Sequence, residues 1–135
     1  MSTLLLEIVT PERKVYAQEV DMVVVKGEEG QLGILPNHIP LVTPLQIAPV
    51  IVKKGKQEET IAVNGGFVEV RKDKVVILAE SAELPGDIDV ERALAARQRA
   101  EQRLGSGRRD EIDYRRAELA LQRAINRMEV SNRVK

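Results

Sequence analysis

Hydrophobic residues in the first part of the chain recur at every second position. Leu4, Leu6 and Ile8 alternate with polar or outward positions before the Thr10-Pro11 break, the pattern of a half-buried strand. Val20, Met22 and Val24 repeat it in a second strand predicted within 15–26, where Val23 and Val25 thicken the other face. A turn at 27–30 leads into QLGILPNHIPLVTPLQI, in which Gly33, Pro36, Pro40 and Pro44 forbid a helix and impose short extended pieces joined by corners. Strands are predicted at 47–52, 60–63, 67–70 and 75–79, separated by a charged turn around Gly55, by Asn64-Gly65-Gly66 and by the RKDK turn at 71–74. The two glycines offer the positive φ angles that a tight connection between strands needs. Such spacing with Gly and Pro turns indicates an antiparallel β-sandwich or flattened barrel.

Past Pro85-Gly86 the period changes from 2 to 3.6, which divides the chain into 1–84 and 85–135. DIDVERALAARQRAEQR, at 87–103, is rich in Ala, Leu, Arg, Glu and Gln and is read as a helix with Asp87 or Asp89 as its N-cap. After the GSGRRDE loop a second helix is predicted from near Ile112 to about Glu129, with Asp110 or Asp113 near its start. The short loop implies an antiparallel helical hairpin, so the fold class is α+β.

Both helices carry the same double stripe. Arg92, Arg99 and Arg103 fall on one line of the first helix beside Ala93, Ala96 and Ala100; Arg116, Arg123 and Arg127 lie beside Ala117, Ala120 and Ala124 on the second. Facing alanines let two helices approach closely while burying little apolar area, which describes a hairpin weakly held and able to open. The arginines admit two readings. One is an ordinary solvated face with i,i+4 charge pairs. The other is anion recognition, since guanidinium groups match phosphate oxygens bidentately and several converge if the helices pack antiparallel. Asp89, beside Arg92, is suited to orient that arginine or to accept from a sugar hydroxyl or an exocyclic amine.

Net charge is zero, but residues 1–84 carry 9 basic and 12 acidic side chains and residues 85–135 carry 12 and 9, so the positive field belongs to the helices. The chain has no cysteine, hence no disulfide framework or thiolate zinc site. With Phe67, Tyr16 and Tyr114 as its only aromatics it offers no base-stacking platform, and nucleic acid is not an expected partner. No apolar run reaches the roughly 20 residues needed to span a bilayer; a soluble intracellular protein without direct membrane insertion is expected. No phosphate-loop, nucleophile-elbow or zincin motif is present. The single histidine, His38, sits in a Pro-rich corner where a hydrogen-bonded structural role is the expected one. An enzyme acting alone is therefore not expected.

The segments GQLGILPNHIPLV, AVNGGFVEV, DIDVERA and RRAELALQRAINR, in this order over essentially the whole chain, resemble the epsilon subunit of bacterial F-type ATP synthases, in particular thermophilic-bacillus-like members. The resemblance implies a sandwich that docks on the gamma subunit and the ring of c subunits in the rotating central stalk of this proton-translocating complex, peripheral to the cytoplasmic face of the cell membrane. It implies a hairpin that lies folded on the sandwich or extends along gamma toward the alpha and beta subunits, where it blocks ATP hydrolysis. In bacillus-like members the folded hairpin binds ATP through an I(L)DxxRA motif, matched here by Ile88-Asp89-Val90-Glu91-Arg92-Ala93. By that resemblance Ile88, Asp89 and Ala93 meet the adenine, Arg92 lies near base and ribose, Glu83 lines the pocket, and Arg99, Arg123 and Arg127 meet the phosphates. ATP is then a regulatory ligand that this chain does not hydrolyse; any Mg2+ would accompany the phosphates, because no carboxylate set in the sequence calls for a metal. Arg103, Arg115, Arg116 and Arg123 are the basic residues available for an acidic surface on beta when the hairpin extends. The alternative is a purely structural rotor adaptor whose helices bind no nucleotide.

Overall fold

The structure, a computed structural model, describes residues 2–106 and 111–133. Eight strands come first: β1 Leu4–Val9, β2 Lys14–Val20, β3 Met22–Gly27, β4 Gly30–Ile34, β5 Leu41–Lys54, β6 Gln57–Val70, β7 Lys74–Ala79 and β8 Ala82–Glu83. A 3-10 turn, Pro85–Asp87, leads to α1, Val90–Gly105, and then α2, Glu111–Arg133. The strand order is β2-β1-β7-β6-β5-β3-β4, with β8 added to β6. The described pairs are antiparallel except β1 with β7, which run parallel.

Two expectations from the sequence change. The apolar run at 15–26 is two strands, because the chain turns at Asp21: its N–H donates to the Lys53 carbonyl at 2.9 Å and its Oδ2 accepts from the Gly55 N–H at 2.6 Å. β2 then pairs with β1, and β3 with β4 and β5. Conversely, the strands expected at 60–63 and 67–70 are one strand, β6, with Asn64-Gly65-Gly66 inside it as a twist instead of a connection. Gly65 and Gly66 have φ of +86° and +128°, and a Cβ at Gly66 would lie 2.1 Å from the Leu78 carbonyl oxygen. Only glycine fits there.

The twist reverses the face that each parity of β6 presents. Before it Ile61 and Val63 join the core; beyond it Val68 and Val70 do. β5, fourteen residues long and paired to β6 along its length, bends with it, so both strands belong to both layers of the sandwich. Pro44 and Pro49 are tolerated in β5 because neither has a partner in β3, which pairs with Leu45 and with 51–53. Leu4, Leu6, Ile8, Val23, Val25, Ile34, Val52 and Ile77 fill the space between the layers. The Pro-rich corner at 36–40 is tied down by Asn37, at φ +67°, whose N–H donates to the Lys72 carbonyl at 2.8 Å. His38 Nδ1 lies 2.7 Å from the Ile39 carbonyl oxygen.

The helices stack outward in sequence: α2 packs on β5 and β6, and α1 packs on α2. Ala93 and Ala100 of α1 and Ala117 and Ala124 of α2 are buried, as the double alanine stripe requires. Asp110, one of two aspartates expected near the start of α2, lies outside the described residues.

On the outer side of β1, Glu7 is buried between Lys14 of β2 and Lys74 of β7, at 2.5 and 2.6 Å. Hydrogen bonds from the two ammonium groups hold its carboxyl at about 2, against an ordinary 4.5. Because the folded value is depressed, the clamp contributes its full stability above about pH 4.5 and loses it as pH falls toward 2. Urea unfolding of Glu7→Gln should therefore show a lower midpoint than the unsubstituted chain at pH 7, with the gap closing between pH 4.5 and pH 2.

Candidate functional site

The approach from sandwich to α1 is a chain of short-range bonds. Asp87 N–H donates to the Leu84 carbonyl at 2.9 Å and Ile88 N–H to the Pro85 carbonyl at 3.3 Å, closing the 3-10 turn. Asp89, and not Asp87, caps α1: its Oδ1 accepts from the Arg92 N–H at 3.0 Å, while its carbonyl accepts from Ala93 N–H at 2.9 Å. Ile88 is buried in a small cluster with Ala62 of β6 and Val130 of α2, so the start of the motif is anchored on the sandwich and on α2 together.

On α2 the arginine stripe occupies a particular azimuth. Helical spacing puts Ala117 and Ala124 on one buried edge, toward α1, and Asn126 and Val130 on another, toward the sandwich, with Arg116, Arg123 and Arg127 between them. The stripe thus faces the angle where α1, α2 and the sandwich meet. Arg127 reaches Glu83 of β8 through an Nε–Oε1 hydrogen-bonded ion pair, both side chains about three-quarters covered. The structure therefore brings Glu83, Ile88 and Arg127 together, with Asp89 and Ala93 adjoining. Arg92 and Arg99 are exposed along α1, and Arg123 is half-buried one turn before Arg127. Among the described residues the guanidinium groups of Arg92, Arg99 and Arg123 make no ion pair or hydrogen bond with the other candidates; Arg92 meets Asp89 through its backbone N–H alone.

Chemically, this is a set of guanidinium groups short of counter-charge. Arg123 has no carboxylate partner among the described residues, and Arg127 has one, Glu83, met through Nε, which a phosphate oxygen can replace. The donors fit an anionic polyphosphate. No group of three or more His, Cys, Asp or Glu side chains capable of holding a metal occurs among the described residues. A cleft of about 760 Å³ between α2 and the sheet is lined by Lys26, Phe67, Glu80, Arg115 and Leu119 among others, and none of the eight candidate residues lines it.

Two further surfaces were not foreseen. One is a buried amide network at Asn126. The other is the outer face of the layer that α2 leaves uncovered, where Pro44, Phe67 and Leu78 stand side by side across β5, β6 and β7, flanked by Val42. Phe67, Leu78 and Val42 are 51%, 52% and 65% exposed, a contiguous apolar patch of the kind that marks an interaction site. Residues 75–79 are an uninterrupted apolar run in which nothing marks Leu78 as outward, and the register joining it to Phe67 is visible only in the sheet.

Family models place this architecture. The ATP synthase delta/epsilon chain β-sandwich domain matches residues 3–85, and the delta/epsilon long α-helix domain matches residues 87–132. The chain belongs to the ATP synthase delta/epsilon family. Within it, the ATP synthase epsilon chain of Halalkalibacterium halodurans is 59% identical over 133 residues, covering 98% of this chain and 100% of that one. The epsilon chain of Alkalihalophilus pseudofirmus is 61% identical over 133 residues with the same coverage. The resemblance to bacterial F-type epsilon subunits is thus upheld over the full length. The epsilon fold extends to distant relatives: a chain in the mitochondrial ATP synthase of Euglena gracilis superposes with a TM-score of 0.79 at 22% identity, covering 99% of this chain and 82% of that one.

Because Asp89 caps α1, its substitution has a structural effect separable from any ligand. Asp89→Ala should cost the hairpin about 1 kcal/mol and raise hydrogen exchange at the first amides of α1, whereas Asp89→Asn, which keeps the acceptor, should leave both unchanged.

Proposed function

We propose that this epsilon chain couples the rotor of a proton-translocating ATP synthase to its membrane ring and regulates ATP hydrolysis by an ATP-sensitive movement of its helices. The sandwich is the docking half. Its bare face of Val42, Pro44, Phe67 and Leu78 is the surface for the gamma subunit, and the exposed Leu35 and Ile39 of the β4–β5 corner extend the contact toward the c-ring. The assembly sits at the cytoplasmic face of the membrane without inserting a segment of its own.

The helices are the sensing half. The observation that carries this reading is the meeting of Arg127, Glu83 and Ile88 at the seam of three elements, with Arg123 alongside. A ligand placed there touches α1, α2 and the sandwich only while they are folded together, so it stabilises that arrangement by RT ln(1 + [L]/Kd). At ten times Kd the gain is about 1.4 kcal/mol, enough to bias a balanced equilibrium strongly. ATP fits the chemistry: Ile88, Asp89 and Ala93 take the adenine, Arg92 the base and ribose side with Glu83 lining the pocket, and Arg99, Arg123 and Arg127 the phosphates. Mg2+, where present, rides on the phosphates. Engaging Arg127 requires that it exchange Glu83 for a phosphate oxygen. With ATP gone, the hairpin extends toward alpha and beta, and the same arginines meet acidic protein surface. Nothing in this cycle asks the chain to break the phosphate bond.

Titration calorimetry of the full chain is expected to show ATP binding, weakened about tenfold or more in Arg92→Ala and Arg123→Ala, the loss of one charge-assisted hydrogen bond each. Asp89→Asn, with its helix cap intact, should also bind more weakly; unchanged affinity in all three would remove the site assignment and leave a purely structural adaptor. Independently, Phe67→Glu or Leu78→Glu should prevent co-purification with gamma and the c-ring while leaving ATP binding as it was.

A further inference from the structure

An amide is buried where helix meets sheet, and the family motif makes no use of it. Asn126 is 3% exposed on the sandwich-facing edge of α2. Its Nδ2 donates to the Val63 carbonyl at 3.0 Å and to Asn64 Oδ1 at 3.2 Å. Asn64, 1% exposed, passes the connection on: its Nδ2 donates to Ser81 Oγ at 2.9 Å and its N–H to the Ser81 carbonyl at 2.9 Å. Asn126 Oδ1 is buried with no hydrogen-bond partner. A leucine there would avoid that unpaired acceptor, so the amide is retained against a local cost.

Position explains what offsets the cost. The buried apolar contacts beside it, Ala62, Ile88 and Val130, tolerate a helix sliding or rotating over a sheet, and the neighbouring Glu83–Arg127 pair joins two long flexible side chains and must open when Arg127 takes a phosphate. Hydrogen bonds to a fixed strand carbonyl do not; a single buried asparagine sets register in coiled coils by the same physics. Asn126 is flanked by Arg127 and lies three residues after Arg123, so whatever fixes its height and azimuth fixes both guanidinium groups relative to Glu83 and the Ile88–Ala93 segment. The bond is also reversible, since the amide, the Val63 carbonyl and Asn64 all exchange partners with water when the helix leaves.

We propose that Asn126 is a positioning residue of the nucleotide site, locking α2 onto β6 in the one register at which Arg123 and Arg127 address the ligand. The proposal rests on the nucleotide reading above. It differs from a plain core role in one respect: ligand and amide act on the same docked state, so excess ligand compensates for the lost amide.

The test uses Asn126→Asp, which keeps the shape and removes the donors, with Asn126→Ala as a second variant. The natural chain has no cysteine, so spin labels at Lys56→Cys and Asn132→Cys, both exposed, report the distance between sandwich and α2 without background. Without nucleotide, both variants are expected to show a broader, longer distance distribution than the parent. ATP should bind them about tenfold or more weakly, because only the docked fraction is competent. Saturating ATP should restore the parent distance, and sandwich unfolding in urea should be unaltered. Parent-like distances and affinity in Asn126→Asp would overturn the positioning role alone. Loss of sandwich stability in both variants, with no recovery by ATP, would overturn it in favour of a core role. A parent chain that binds no ATP would overturn the nucleotide reading, and the positioning role with it.

Discussion

The reversal of parity at Gly65-Gly66 decides what every other part of this chain touches. A strand that ran straight would keep one set of side chains inward along its whole length. β6 instead hands the core from Ile61 and Val63 to Val68 and Val70, and β5 follows through continuous pairing. The molecule consequently has two outer faces of different character built from the same two strands. Ile47, Pro49, Ala62 and Asn64 lie beneath α2; Val42, Pro44 and Phe67 lie in the open. The bare apolar face and the helix-covered face are separated in space because a pair of glycines allows one ribbon to serve two layers.

Electrostatics divides along the same line. The carboxylates and ammonium groups of the sandwich neutralise one another locally, as Glu7 does with Lys14 and Lys74 and Glu59 with Lys54. The helices keep a surplus of guanidinium groups, and among the described residues the ion pair that joins a helix to the sandwich is Glu83–Arg127. A partly exposed ion pair between two long side chains, each about three-quarters covered, contributes modestly to stability. Its importance is placement, since it marks where the positive helical stripe comes within reach of the sandwich.

Much of this was legible beforehand. Alternation and Gly-Pro punctuation exposed the sandwich, the change of period at Pro85-Gly86 exposed the hairpin, and alanine spacing located the buried seam at Ala93, Ala100, Ala117 and Ala124. The misreadings have a common cause. Periodicity reports which way a side chain points but not whether the backbone has turned, so Asp21 was passed over as an interruption within one strand, and Gly65-Gly66 was taken as a connection between two. Asn126 was invisible for a related reason: on a helix wheel it adjoins arginines and resembles a solvated residue, and its partners Val63 and Asn64 lie 63 and 62 residues away in the chain. The candidate residues were identified by motif more than by physics; two of them, Glu83 and Arg127, meet by contact with Ile88 packed nearby on Ala62 and Val130, and the arginine stripe gains meaning only once α2 is seen to have two buried edges.

The seam between the helices has a kinetic side as well. Leucine zippers part slowly because each side chain must withdraw from a socket formed by four others. Where Ala93, Ala100, Ala117 and Ala124 line the seam, methyl groups leave no sockets, and the half-buried Leu104, Leu121 and Met128 add longer side chains to it. For the hairpin movement proposed above, alanine lowers the barrier between arrangements as well as the depth of either well, so its rate would follow backbone movement more than the unthreading of a core.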